Sequence, residues 1–176
     1  MVFMKFVRIP KERVGVLVGV EGRTKNKLES RTGAKIDVGS SGEVKIDDSE
    51  CKDPLLSWKL LDLVKAIGRG FTPLEANLLL EENMVLDILD LESALSSPKS
   101  VSRIKARIIG RQGKIKSFLE KSLNIYISIY GNTISLIGEP ENVQIGREAI
   151  EKIIKGAMHS TVIHFIEKNQ QEHLIW

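Results

Sequence analysis

The chain contains an internal repeat with a constant offset of 91 residues. Residues 14–29, VGVLVGVEGRTKNKLE, align without gaps with residues 105–120, KARIIGRQGKIKSFLE. Gly19 aligns with Gly110 and Gly22 with Gly113, so each copy carries a Gly-x-x-Gly motif. Because the repeat interval is about half of the 176 residues, we expect two small domains of similar fold rather than one large domain.

Hydrophobic periodicity predicts the element order β-α-α-β-β-α in each copy. In the first copy, strand-like residues 2–8 precede two short helical segments that flank the glycine motif, and the strands AKIDVG and EVKID follow. Pro54 opens a longer helix on which apolar residues, including Leu55 and Trp58, recur at three- and four-residue spacing. We therefore expect these residues to face the core.

The second copy repeats that order. We predict a strand over 84–91, helices over 98–109 and up to Leu123, a hairpin around Gly131-Asn132, and a helix from Pro140. Between the copies, Thr72-Pro73-Leu74-Glu75 predicts a capped helix, and 160–171 predicts a closing helix. The expected divisions are a first domain over 1–71, a connecting helix over 72–83, a second domain over 84–158 and a helical tail over 159–176.

Composition excludes several classes of protein. Hydrophobic residues at 42% and charged residues at 28% indicate a folded chain rather than a disordered one. Cys51 is the single cysteine, so neither an intrachain disulfide nor a cysteine-based zinc site is expected. No apolar run approaches the roughly 18 residues of a transmembrane helix, and the N-terminus does not resemble a signal peptide. We expect a cytoplasmic protein without membrane attachment.

The net charge of +3 is the sum of three unlike segments. Residues 1–35 hold nine Lys/Arg and three Asp/Glu, residues 36–100 hold six and thirteen, and residues 101–176 hold eleven and seven. Two basic segments separated by an acidic one are typical of a protein with two nucleic-acid contact surfaces, because phosphate neutralisation drives that binding. Two solvated faces explain the charges equally well.

A Gly-x-x-Gly motif between two short helices can bind phosphate. Glycine lets a backbone approach closely, and the second helix presents free N–H groups and a positive dipole end. Residues 103–116 hold six cations and no acid, and apolar residues such as Ile109 and Ile127 offer a groove for bases. A helix-ending turn and a surface for protein contacts are the alternatives. A nucleotide-hydrolase loop is excluded, because Leu17 stands at its first glycine and Arg23 at its lysine.

No catalytic or metal-binding constellation is present in the sequence. The acidic pairs Asp47-Asp48 and Glu81-Glu82 lie at predicted element ends, where turns and caps explain them. The tail histidines lack a metal-ligand spacing. We expect a protein that is not an enzyme and has neither cofactor nor metal.

The motifs VGVEGR (18–23) and IIGRQGK (108–114) resemble KH-domain signatures, in which the glycine loop clamps single-stranded RNA. Four longer segments, 65–80, 104–114, 126–141 and 147–157, resemble the archaeal two-KH ribosome-assembly factors of the partner-of-Nob family. The resemblance covers nearly the whole chain. It implies an α+β fold of tandem type I KH domains, each with a three-stranded antiparallel sheet packed against helices, plus a C-terminal helix.

The same resemblance implies the function and the partners. It implies binding to the 3′ end region of small-subunit ribosomal RNA during ribosome maturation, and contacts with the Nob-type endonuclease and with the alpha subunit of translation initiation factor two. The alternative function is a protein-interaction adaptor that docks such partners, with RNA binding secondary.

The two copies differ in charge at the glycine loop. Glu21 lies in the first loop where the second has a neutral residue, so we expect the second copy to make the primary RNA contact. Its predicted RNA-binding residues are Arg103, Arg107, Ile109, Gly110, Arg111, Gln112, Gly113, Lys114, Lys116 and Ile127. The predicted secondary RNA-binding residues are Gly19, Val20, Gly22, Arg23 and Lys25.

Overall fold

The chain forms two compact units, Met1–Leu86 and Asp87–Trp176. A computed structural model describes residues 4–51 and 53–173. The domain limits expected at 71, 83 and 158 stay a prediction.

The first unit is a three-stranded antiparallel sheet with helices against one face. Its strand order is β1-β3-β2, so the last strand in sequence lies in the centre. Its elements are β1 (Met4–Arg8), α1 (Val14–Val18), α2 (Arg23–Thr32), β2 (Lys35–Val38), β3 (Glu43–Asp47), α3 (Pro54–Gly68) and α4 (Pro73–Ala76), with 3₁₀ turns at Lys11–Arg13, Val20–Gly22 and Asn77–Leu80. Residues 2 and 3 of the predicted first strand lie outside the described residues.

Alternation along the strands places one face of this sheet in the core. Ile36 pairs with Ile46 across β2 and β3, and both side chains are buried, as are Leu17 and Leu60 on the helices. On α3, however, Leu55 and Trp58 are 57% and 60% exposed, so the expectation that they face the core is wrong. The buried residues of the helix are Ser57 and those from Leu60 to Gly68 other than Asp62 and Lys65, and Leu55 and Trp58 lie outside this set.

Two helix starts follow from local side-chain chemistry. The Asp53 carboxylate accepts from Leu55 N at 2.9 Å and opens α3 just before Pro54. At α4, the Thr72 hydroxyl accepts from Glu75 N at 3.3 Å while Thr72 N donates to the Glu75 carboxylate at 2.8 Å. The predicted capping box is confirmed.

The second unit repeats the fold, with sheet order β4-β6-β5, and its first strand begins two residues before the division at Asp87. Its elements are β4 (Val85–Asp90), α5 (Leu91–Ala94), α6 (Pro98–Ile109), α7 (Lys114–Leu123), β5 (Tyr126–Tyr130), β6 (Thr133–Gly138), α8 (Pro140–Ile154) and α9 (His159–His173), with a 3₁₀ turn at Arg111–Gly113. The strand predicted to reach residue 91 ends at Asp90, because the Asp90 carboxylate accepts from Glu92 N and caps α5, a one-turn helix absent from the prediction.

The closing helix α9 packs on α7 and α8 of the same unit. Val162 and Ile166 are buried, and the Lys152 ammonium lies 4.7 Å from the Phe165 ring centroid. The predicted α+β fold, with two three-stranded sheets and a C-terminal helix, is confirmed.

Candidate nucleic-acid interface

The glycine loop of the second unit joins α6 to α7 through three residues with positive φ. Gly110 has φ 73° and ψ 174°, a region that essentially only glycine adopts, whereas Gln112 (φ 53°) and Gly113 (φ 73°) are left-handed. A Cβ on Gly110 would lie 2.5 Å from the Ile115 side chain. The loop therefore needs glycine at its first position for both conformation and space.

The loop of the first unit has the same backbone. Gly19 (φ 75°, ψ 173°), Glu21 (φ 53°, ψ 29°) and Gly22 (φ 75°, ψ 10°) match their counterparts in the second loop within a few degrees. A Cβ on Gly19 would overlap Thr24. The two loops therefore differ in side chains and not in main-chain shape.

Each loop ends on the uncapped N-terminus of a ten-residue helix. α7 starts at Lys114 directly after Gly113, and no side chain accepts from its first-turn N–H groups. α2 starts at Arg23 in the same way. A helix N-terminus without a capping side chain presents N–H donors and a partial positive charge to an anion.

The six cations predicted around the second loop fall into two groups. Three of them donate within the unit: Lys105 to Gly131 O at 2.8 Å, Arg107 to Ile153 O at 2.9 Å, and Lys116 to the Glu120 carboxylate at 3.0 Å. The other three are exposed and have no hydrogen bond or ion pair within the described part of the chain. These free cations are Arg103, Arg111 and Lys114.

The apolar residues predicted for the groove are placed differently from one another. Ile109 is 38% exposed and lies next to the loop, so its side chain is available to a base. Ile127 is 4% exposed, and its side chain belongs to the core of the unit. Its backbone N–H lies at the outer edge of the sheet instead, because β5 is an edge strand and Ile127 N points away from β6.

A carboxylate that sequence reasoning missed occupies this strand edge. Glu120 on α7 accepts from Ile127 N at 2.9 Å. In the first unit, Glu29 accepts from Ile36 N at 2.7 Å. Both pairs are related by the 91-residue offset. The alignment of Glu29 with Glu120, each seven residues before an isoleucine of the following strand, was the sequence signal that could have predicted this contact.

The cations of the first loop are largely paired with acids. Arg23 lies 3.3 Å from the Glu21 carboxylate and Lys25 lies 3.9 Å from that of Glu29. Val20, where the second loop has arginine, is 75% exposed. The first loop therefore presents less positive charge than the second.

Residues 4–51 and 53–173 contain no cluster of three or more His, Cys, Asp or Glu side chains that could hold a metal ion. None of the helices described is both long and apolar enough to cross a membrane.

Two family models match the chain. The model for the eukaryotic-type KH domain (KH-domain type I), built on the second such domain of PNO1, matches residues 85–171, and the KH-domain model matches residues 4–52. The first match includes most of α9, in agreement with the packing of that helix on the second unit.

One relative matches nearly the whole chain, and a second matches a little over half of it. The KH domain-containing protein MJ0443 of Methanocaldococcus jannaschii is 41% identical over 170 residues, which cover 96% of this chain and 75% of that protein. The pre-rRNA-processing protein PNO1 of Chaetomium thermophilum is 31% identical over 105 residues, or 57% of this chain and 40% of that protein.

A solved structure shares the fold throughout. A chain in the crystal structure of the a/eIF2alpha–aDim2p–rRNA complex from Pyrococcus horikoshii OT3 superimposes with a TM-score of 0.92 at 38% identity, covering 98% of this chain and 96% of that chain. With two type I KH units, two glycine loops of one backbone shape and these relatives, the chain belongs to the partner-of-Nob family of two-KH-domain proteins, which includes aDim2p and PNO1.

Proposed function

We propose that this protein binds single-stranded RNA in the 3′ end region of small-subunit ribosomal RNA during ribosome maturation, in the cytoplasm and without catalysing a reaction. The observation that carries the proposal is the second loop, where Arg111 and Lys114 lie at an uncapped helix start and have no partner among the described residues. The solved complex of aDim2p with rRNA and the pre-rRNA-processing relative PNO1 support the choice of RNA.

We assign the primary RNA contact to the second loop. Arg111 and Lys114 flank Gln112 there, and all three are exposed, so their polar atoms can reach a phosphate backbone. Arg103 extends this basic surface along α6, and Ile109 offers an apolar contact for a base. Gly110 and Gly113 give the loop the conformation in which the protein backbone can approach the RNA backbone closely.

The first loop is proposed as a secondary RNA surface. Its glycines, Gly19 and Gly22, hold the same backbone shape, but the Glu21 carboxylate lies within ion-pair distance of Arg23 and adds negative charge beside any phosphate. Lys25 is likewise paired with an acid. Repulsion of phosphate by Glu21 supports a weaker contact than in the second loop.

We propose two protein partners for the chain. The alpha subunit of translation initiation factor two is supported by the a/eIF2alpha–aDim2p–rRNA complex. A Nob-type endonuclease is supported by membership of the partner-of-Nob family. The adaptor function in which RNA is secondary is not favoured, because a relative matched over nearly its whole length was solved together with rRNA.

The test is a charge reversal in each loop of the full chain. Arg111→Glu combined with Lys114→Glu should abolish binding to an RNA of the small-subunit 3′ end sequence, because two phosphate contacts become repulsive. The matched control, Arg23→Glu combined with Lys27→Glu at the start of α2, should cost far less. Fluorescence anisotropy measures both affinities, and circular dichroism checks that each variant is folded.

Unchanged affinity in the second-loop variant would remove the primary contact from that loop. A larger loss in the first-loop control would reverse the ranking of the two copies. Crosslinking of the native protein to RNA, followed by sequencing of the attached fragment, tests the target, and fragments from another region would reject the 3′ end.

A further inference from the structure

Arg107 connects the end of α6 to the end of α8. It lies in the last turn of α6, and its guanidinium donates to Ile153 O at 2.9 Å and to Ala157 O. The final turn of a helix leaves carbonyl groups without intrahelical partners and favours a cation beside them. Both arms of the guanidinium fork are therefore used inside the second unit.

His159, the first residue of α9, returns the contact. Its Nε2 lies 2.9 Å from Arg107 O, and because that carbonyl can only accept, Nε2 carries the donated proton. The last backbone hydrogen bond of α6 runs from Gly110 N to Ala106 O. The next carbonyl, Arg107 O, is the one that contacts His159. The Arg107 side chain and carbonyl thus form a reciprocal pair of contacts with the α8–α9 turn, three residues before the glycine loop.

The first unit contains a similar arginine contact with two carbonyls, made by an arginine at a different position of the repeat. Arg13 donates to Ile67 O at 2.7 Å and to Phe71 O at 2.6 Å, two carbonyls four residues apart at the end of α3. The carbonyls that accept from Arg107 are also four residues apart. The ungapped repeat aligns Arg107 with Val16, so Arg13 and Arg107 make the same kind of contact from positions that are not aligned.

We propose that Arg107, held with His159, is a positioning residue that sets the direction of the second glycine loop and does not itself contact phosphate. The inference deepens the proposed function, on which it rests, and it changes the role predicted for Arg107 from its charge. The glycine loop begins three residues after Arg107. Because Arg107 is held by contacts with α8 and α9, the direction in which the chain leaves α6 depends on that residue. Two of the five guanidinium N–H donors are held by these carbonyls, so turning the group toward a phosphate would break both bonds.

The experiment compares Arg107 with Arg103, which lies on the same helix and is a free cation. Full-length Arg107→Met and Arg103→Met are measured for RNA affinity by anisotropy across a range of KCl concentrations. Amide resonances of Gly110 and Gly113 are recorded by ¹H–¹⁵N NMR without RNA. Thermal unfolding by circular dichroism fixes a temperature at which every variant is folded.

For Arg107→Met we expect about tenfold weaker binding, comparable to one lost charged hydrogen bond. The slope of log K against log salt should stay at the wild-type value, and the two glycine amides should shift. For Arg103→Met the slope should become shallower by about 0.7, the value for one single-strand phosphate contact. The amide resonances of Gly110 and Gly113 should not shift in this variant.

Arg107→Lys and His159→Ala keep the proposal testable if the methionine variant unfolds. Lysine keeps the charge but loses the fork, so positioning predicts weaker binding at an unchanged slope, and His159→Ala should act in the same direction. Wild-type affinity in Arg107→Lys, or a slope loss of about 0.7 in Arg107→Met, would overturn the proposal in favour of a phosphate contact. If wild-type protein binds no RNA, the proposed function fails, whereas unshifted glycine amides in Arg107→Met contradict the positioning role alone.

Discussion

The two glycines of each loop are required for different physical reasons. Gly110 combines a conformation reserved for glycine with a side chain of Ile115 where its Cβ would be. Gly113 is left-handed, but in the described part of the chain no atom beyond its two sequence neighbours lies within 4 Å of its Cβ position. An alanine at position 113 would therefore strain the backbone but would not clash with a neighbouring side chain.

This difference predicts unequal losses of stability. Gly113→Ala should lower the free energy of unfolding by about 1 kcal/mol, the cost of a left-handed non-glycine residue. Gly110→Ala should lower it by about 3 kcal/mol, because overpacking adds to the backbone strain. Urea denaturation of the two variants measures both values, and equal losses would contradict the distinction.

Residue by residue, the sequence identifies the charges of the site but not their availability. Lys105 and Arg107 belong to the same basic segment as Arg111 and Lys114, and nothing in that segment separates them. Their acceptors are backbone carbonyls 26, 46 and 50 residues away. Since every residue has a carbonyl, only the tertiary fold determines which one a cation meets.

Among the secondary-structure elements, those with strong local signals were predicted closely. The helix expected over 98–109 is observed as Pro98–Ile109, because Ser97 caps it and proline opens it. The prediction was wrong where apolar spacing was the whole argument, as for Leu55 and Trp58 on α3. Spacing shows that residues share a side of a helix, whereas burial depends on how wide a stripe the neighbouring elements cover.

A polar cluster joins β1 to α3 in the first unit. Lys5 donates to the Asp48 carboxylate and to the Ser57 hydroxyl, and that hydroxyl donates to Asp48 at 2.6 Å. The hydrogen bond from Lys5, followed by that from Ser57, lowers the pKa of the Asp48 carboxyl below its ordinary value. The folded state therefore favours the ionised carboxylate.

The lowered pKa gives the pH dependence a definite sign. The stabilisation by Asp48 is present above the unfolded-state pKa of about 3.9 and is lost as the pH falls through the folded-state pKa. Asp48→Asn should therefore flatten the acid side of the stability profile, measured by urea denaturation over a pH series. Ser57→Ala, which leaves Lys5 in place, should flatten it less, and an unaltered profile in Asp48→Asn would contradict the assignment.

For the whole molecule, the net charge of +3 says little about RNA binding. What matters is that Arg103 on α6 and Arg111 and Lys114 at the loop have no partner in residues 4–51 and 53–173, while other cations of the same segment are already bonded. The number of phosphate contacts should follow the free cations and not the total.

A salt titration of the wild-type protein measures that number. Three contacts to a single strand predict a slope of log K against log salt of about −2. A slope of about −4 would mean that all six cations of residues 103–116 contact phosphate, including Lys105, Arg107 and Lys116, which are bonded within the unit.

The carboxylates of Glu29 and Glu120 have a consequence for how molecules of this protein meet one another. β2 and β5 are outer strands, and an outer strand with open N–H groups is a template on which another chain can add a strand and begin to aggregate. Each carboxylate occupies one of those N–H groups and places a negative charge at the strand edge. In both copies, one N–H group at the edge of β2 or β5 is therefore closed to an added strand and lies beside a negative charge.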